Sequence, residues 1–144
     1  MKINSLIRYH VEKLKNLSLY GAKEYLARNQ FHCIGSGCEA VVYSRKGFDY
    51  VIKLHYSPFS NSGVDKGIPS DKHFANQIAY KVSYGNIIIQ EKCDSVVRIN
   101  IKKHGINFKK FRRWVEEKYK VSDIHTDNVG IRNGKFVVFD WTLA

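Results

Sequence analysis

Apolar side chains at Ile3, Leu6, Ile7, Val11 and Leu14 recur with the spacing of one helical face and predict a first helix within residues 3–16. Ser18 stands where it would cap a second helix carrying Tyr20, Ala22, Tyr25, Leu26 and Ala27. From Phe31 the period shortens toward two. Residues 31–34, 39–43 and 50–54 predict three antiparallel strands, with Arg45-Lys46-Gly47 as a turn. Residues 57–70 are rich in Ser, Gly, Pro and Asn and read as a loop. Beyond it, Phe74, Ile78 and Val82 share one face of a helix expected to begin at Ser70 or Asp71. Residues 86–91 then read as a buried strand ending in polar side chains. The stretch 107–119 predicts a helix with Phe108, Phe111, Val115 and Tyr119 on its apolar stripe. Asn133-Gly134 has the chemistry of a two-residue hairpin and places Asp140 at the end of the returning strand. The class is α+β, with a helical segment over 1–30 and a single compact unit over 31–144.

Composition narrows the classes. At 144 residues with 44% hydrophobic and 13% aromatic side chains, the chain has material for one folded core. No apolar run approaches the length of a membrane span, and no apolar leader follows Met1, so a cytoplasmic protein is expected. The formal charge is +11, which favours nucleotides, nucleic acids and acidic protein surfaces. A solvated basic surface accounts for the same charge equally well. No nucleic-acid-binding signature accompanies it, so nucleic acid is left open as a partner and not predicted, as is oligomerisation. Cys33, Cys38 and Cys93 are odd in number and lack C-x-x-C spacing, which argues against a disulfide framework and against zinc beside His32.

Four short motifs carry candidate chemistry. Asp123 and Asn128 have the Asp-x-x-x-x-Asn spacing of a kinase catalytic loop, and the Asn133-Gly134 hairpin then delivers Asp140. Gly35-Ser36-Gly37-Cys38-Glu39-Ala40-Val41-Val42 follows the Gly-x-Gly-x-x-Gly-x-Val pattern, with Ala40 in place of the third glycine. Such a hairpin lets backbone N–H groups approach anionic oxygens without an intervening Cβ. Tyr50-Val51-Ile52-Lys53 ends an apolar run in a lysine. No Gly-Lys-Ser/Thr follows the loop, which excludes a P-loop NTPase. His125 would contact a transferring phosphate or make a structural hydrogen bond within its loop. Asp127 would add charge near a metal or simply occupy the turn.

With these motifs in this order, the chain resembles the protein-kinase-like fold, and most closely the early serine/threonine protein kinases of T-odd coliphages. That family similarly runs a Gly-x-Gly loop into an Ala/Val-Tyr strand, followed by a Val-Ile-Lys strand. It also has an Asp-x-His-x-x-Asn loop, an Asn-Gly turn and an aspartate-bearing strand. The resemblance covers roughly residues 30 to 142. It implies a minimal kinase-like fold: an antiparallel small-lobe sheet with helices, and a truncated large lobe ending just after the metal-binding aspartate strand. It implies ATP and Mg2+ as cofactors and host proteins as substrates. Asp123 would orient the acceptor hydroxyl and take its proton, with His125 beside it. Asn128 and Asp140 would hold the metal. Lys53 would meet the phosphates beneath a loop of Gly35, Ser36, Gly37 and Val42. Glu91 and Cys93 stand where a hinge would meet adenine.

Two departures from the family pattern bear on function. Val121 and Ser122 replace the His-Arg of a eukaryotic catalytic loop, so control by a phosphorylated activation loop is not expected. No glutamate lies between Lys53 and Gln90 to pair with the lysine, leaving Asp65 and Asp71 as the only acids there. Three function classes follow: a serine/threonine protein kinase, which is favoured; a pseudokinase or host-directed binding or inhibitor protein that keeps the fold; and a small-molecule phosphotransferase.

Overall fold

A computed structural model describes residues 3–56, 72–95, 101–140 and 142–143 of the chain. Within it the chain forms two compact units, Met1–Ser60 with Gln77–Glu91, and Asn61–Asn76 with Lys92–Ala144.

The first unit is built on two short helices and a five-stranded sheet. Helix α1 (Ser5–Leu14) starts at Asn4, whose side chain accepts the Ile7 N–H at 2.8 Å. Helix α2 (Leu19–Arg28) is capped by Ser18 as its sequence predicts, with Oγ accepting the Gly21 N–H at 3.0 Å. Strands β1 (His32–Ser36), β2 (Ala40–Ser44), β3 (Tyr50–His55), β4 (Gln77–Val82) and β5 (Gly85–Glu91) form an antiparallel sheet in the order β1-β2-β3-β5-β4. Alternation sorts the two faces. Val41, Tyr43, Ile52, Leu54, Ile87 and Ile89 join Ile7, Val11, Leu14, Ala22 and Leu26 of the helices in one core. The opposite face carries Val42, Lys53 and Ile88, which are neighbours in register across three strands.

The helix expected from Ser70 or Asp71 is not found over its described part. Strand β4 occupies Gln77–Val82, and Phe74 instead bridges to Val138. The spacing that suggested a helix, Phe74-Ile78-Val82, is a multiple of two as well as a near-multiple of 3.6. Ile78, Tyr80 and Val82 alternate with Gln77, Ala79 and Lys81, and β-branched and aromatic side chains tip the choice to strand. The close β4–β5 connection fixes it further. Gly85 has φ of +149°, and a Cβ there would lie 2.1 Å from the His55 carbonyl oxygen, so only glycine fits. The loop at 57–70, the start of the expected helix, and Asp65 and Asp71 lie outside the described residues.

The second unit begins its own core at Phe74. Strands β6 (Asp94–Ser95), β8 (Val129–Arg132) and β9 (Lys135–Val138) form one small sheet, while β7 (Val121–Ser122) pairs with β10 (Thr142–Leu143). Helix α3 (Ile101–Tyr119) starts six residues earlier than its apolar stripe suggests. Phe74, Val115, Val121, Ile124, Val129 and Val138 are buried together, with Phe108, Phe111 and Tyr119 against them. The core therefore fastens α3 to both ends of the segment between β7 and β9.

Candidate active site

Between β7 and β8 the chain forms a loop whose apolar members are pinned and most of whose polar members are left at the surface. Val121, Ile124 and Val129 are buried, whereas Asp123, His125 and Asp127 between them are exposed. This alternation forces a tight path. Asp123 takes φ of +63°, a left-handed conformation that costs a non-glycine residue roughly 1 kcal/mol. His125 then caps a single 3₁₀ turn, Thr126–Asn128, whose Asn128 N–H reaches the His125 carbonyl at 2.9 Å.

Asn128 ties the loop together. Its Nδ2 donates to the Asp123 main-chain oxygen at 2.8 Å and lies 3.4 Å from Asp123 Oδ2. This bond spans the strained residue and satisfies an amide on a nearly buried side chain. His125 Nε2 is 3.2 Å from Asp123 Oδ1 and 3.0 Å from Asn128 Nδ2, while Nδ1 is 3.3 Å from the Asp127 N–H. A neutral imidazole has one lone pair and one proton. With Nδ1 accepting from Asp127, Nε2 carries the proton and donates to the Asp123 carboxylate. The alternative tautomer accepts from Asn128 instead, so two donors compete for one lone pair.

The hairpin that follows sets Asp140. Val129 pairs with Val138 in β8–β9, and the Phe139 N–H continues the ladder to the Asn128 carbonyl at 3.0 Å. Asp140 is therefore the next residue after Asn128's backbone partner. The turn is the expected Asn133-Gly134, with φ of +53° and +76°. Asp140 is exposed, and Asn128 Oδ1 meets no donor among the described residues. One amide oxygen and one carboxylate suit a hard divalent cation that keeps water and phosphate as its other ligands. Among the described residues no group of three or more His, Cys, Asp or Glu side chains gathers as a self-sufficient metal cage.

The first unit holds the other predicted residues. Gly35 and Ser36 close β1, Gly37 bonds Ala40 at the opening of β2, and Cys38-Glu39 form the tip. Neither Gly35 nor Gly37 has a positive φ, and a Cβ on either would meet nothing within 4 Å. The protein's own packing does not require these glycines. Lys53 sits mid-strand on β3, opposite Val42 on one side and Ile88 on the other, and is only 8% exposed. Glu91 ends β5 and Cys93 follows it, both half-buried, and the chain passes from the first unit to the second between Glu91 and Lys92.

Within the second unit the structure brings together Asp123, His125, Asn128 and, through the hairpin, Asp140. Within the first it brings together Gly35, Ser36, Gly37, Val42 and Lys53 along three adjacent strands and the tip between the first two. Sequence reasoning missed Tyr56, which holds the glycine hairpin from β3. Its N–H donates to the Glu39 carbonyl at 2.9 Å and its hydroxyl donates to the Gly37 carbonyl. No motif marks it; the β2–β3 register alone places Tyr56 opposite Glu39. The chain matches no protein family, no curated protein and no solved structure.

Proposed function

We propose that the protein is an ATP- and Mg2+-dependent phosphotransferase of the protein-kinase-like fold, acting on serine or threonine hydroxyls of host proteins as a phage kinase does. The reading rests above all on the bond from Asn128 to the Asp123 carbonyl. It shapes a strained loop around an exposed carboxylate while leaving an amide oxygen for a cation. Neither feature serves the core. Phosphoryl transfer asks a protein mainly for positioning and charge neutralisation, and the residues divide accordingly.

Asp123 accepts the proton of the acceptor hydroxyl as its oxygen bonds to the γ-phosphorus and the bond to the β–γ bridging oxygen breaks, releasing ADP. His125, donating from Nε2, holds the Asp123 carboxylate in one orientation. Asn128 and Asp140 would hold Mg2+, which would neutralise charge on the phosphate oxygens. In the first unit, Lys53 is assigned to the phosphates and the Gly35–Gly37 segment to covering them. Open space at both glycines is compatible with that assignment, since a backbone without a Cβ lets phosphate oxygens approach its N–H groups. Glu91, which ends β5, and Cys93, two residues on, are assigned to the adenine.

A second reading, a binding protein that keeps the fold without turnover, draws on a specific departure. Strand β4 stands where a helix was expected, and no glutamate occurs between Lys53 and Gln90. Calorimetric titration with ATP separates binding from assignment. Wild type should bind only with Mg2+ present, Asp140→Ala should lose the metal dependence, and Lys53→Met should weaken binding. Equal affinity in all three proteins would remove the nucleotide assignment. Binding without any transfer to protein would favour the second reading.

A further inference from the structure

The tip of the glycine hairpin is held in an unusual way. A two-residue tip, Cys38-Glu39, would ordinarily let Gly37 and Ala40 exchange two backbone hydrogen bonds. Only one is made: the Gly37 N–H donates to the Ala40 carbonyl at 2.9 Å. The Gly37 carbonyl is taken instead by the Tyr56 hydroxyl. Tyr56 is itself fixed, since its N–H binds the Glu39 carbonyl at 2.9 Å and its ring packs against the helix–sheet core. The Lys23 ammonium of α2 lies 5.7 Å from the ring centroid. As a result the Ala40 N–H loses its usual acceptor and joins the N–H groups of the two tip residues, Cys38 and Glu39, which meet no acceptor among the described residues, at a tip with no Cβ at Gly35 or Gly37. Gly37 itself cannot serve, because its N–H is already engaged. Three consecutive N–H groups without protein partners make a concavity suited to phosphate oxygens.

We infer that Tyr56 is the positioning residue of this hairpin: by drawing the Gly37 carbonyl away from Ala40, it leaves the Ala40 N–H available to a polyphosphate beside those of Cys38 and Glu39. Through Lys23 and the packed ring, it also couples helix α2 to that tip. The inference rests on the nucleotide reading of the hairpin and adds the residue that shapes it. Glu39 contributes the opposing term, a carboxylate on the same tip that repels an anion.

The test uses inorganic tripolyphosphate, which needs no catalytic turnover, with the backbone amides followed by NMR in the whole chain. Wild type should show its largest shifts at Cys38, Glu39 and Ala40. Tyr56→Phe, with its ring and fold retained, should bind roughly 3- to 10-fold more weakly, the effect of one lost hydrogen bond. Glu39→Gln, an exposed change, should bind more tightly. If the protein transfers phosphate, Tyr56→Phe should raise KM for ATP by the same factor and leave kcat unchanged. Largest shifts elsewhere would overturn the inference, as would equal affinity in wild type, Tyr56→Phe and Glu39→Gln. Shifts at residues 38–40 without any phosphate transfer would uphold the anion site and refute the kinase reading, so the two fail separately.

Discussion

Asn128 reaches back five residues to bond the carbonyl of Asp123, at 2.8 Å, across a backbone held left-handed at φ of +63°. The bond explains how a carboxylate can stay exposed in a fixed place on a loop whose neighbours, Ile124 and Val129, are fully buried. Replacing Asn128 by Ala removes both the tie and the amide oxygen. The expected result is a loss of about 1–2 kcal/mol in stability, from one hydrogen bond and an orphaned carbonyl, together with loss of phosphate transfer. Urea unfolding alongside a transfer assay checks both. Full stability with full activity would contradict the role.

The left-handed Asp123 makes a prediction in which stability and activity part company. Asp123→Gly should be more stable than Asp123→Ala by about 1 kcal/mol, because glycine adopts this φ without strain. Both variants should lose roughly 10²–10⁴ in turnover, the usual contribution of a general base. Comparing the two melting curves isolates the backbone effect from loss of the carboxylate.

The glycines divide into those the fold needs and those it does not. Gly85→Ala drives a Cβ against the His55 carbonyl and should cost at least about 3 kcal/mol or prevent folding. Gly35→Ala and Gly37→Ala meet open space and should change stability by less than about 0.5 kcal/mol. Both should nevertheless weaken ATP binding. Denaturant midpoints and nucleotide titration of the three variants test the contrast.

Much of this was legible in the chain, for identifiable reasons. Helices α1 and α2 carry one unambiguous period, Ser18 marks the start of α2, and Asn133-Gly134 admits one kind of turn; the Asn4 cap of α1 was not read, because the apolar face already begins at Ile3. Strand β4 was not legible because a spacing of four fits both periods. The first turns of α3 were hidden by Lys102, Lys103, His104 and Gly105, which interrupt any apolar stripe. For the candidate site, the motifs gave residue types and spacing but not direction. That Asn128 bonds a carbonyl rather than a side chain, and that Tyr56 reaches Gly37, depends on backbone conformation and strand register.

Stability should depend on pH through His10. It is buried where α1 meets Tyr25, Phe31 and Phe48, with Nδ1 2.7 Å from the Tyr25 hydroxyl, and Nε2 has no partner among the described residues. Burial, with the Arg45 cation nearby, lowers its pKa below the ordinary 6.5. The unfolded chain then binds the proton more readily, so the contribution is complete above pH 6.5 and is lost as pH falls through the lower folded value. The slope is at most about 1.4 kcal/mol per pH unit for one proton, and His10→Phe should lack it. At the other extreme, burial pushes Tyr84 up to about 12 from 10.0. Its contribution is complete below pH 10 and disappears as pH rises toward 12. Urea titrations of wild type and His10→Phe between pH 5 and 8 check the first, and alkaline unfolding of Tyr84→Phe the second.

The central claim is that Asp123 and Asp140 serve one phosphoryl transfer. The direct measurement is transfer of label from γ-labelled ATP to proteins of a bacterial extract, with Mg2+, by wild type, Asp123→Ala and Asp140→Ala. The account predicts labelled bands with wild type that disappear with either variant, while all three proteins remain folded. Labelling that persists undiminished in Asp123→Ala, or its complete absence with wild type, would contradict it.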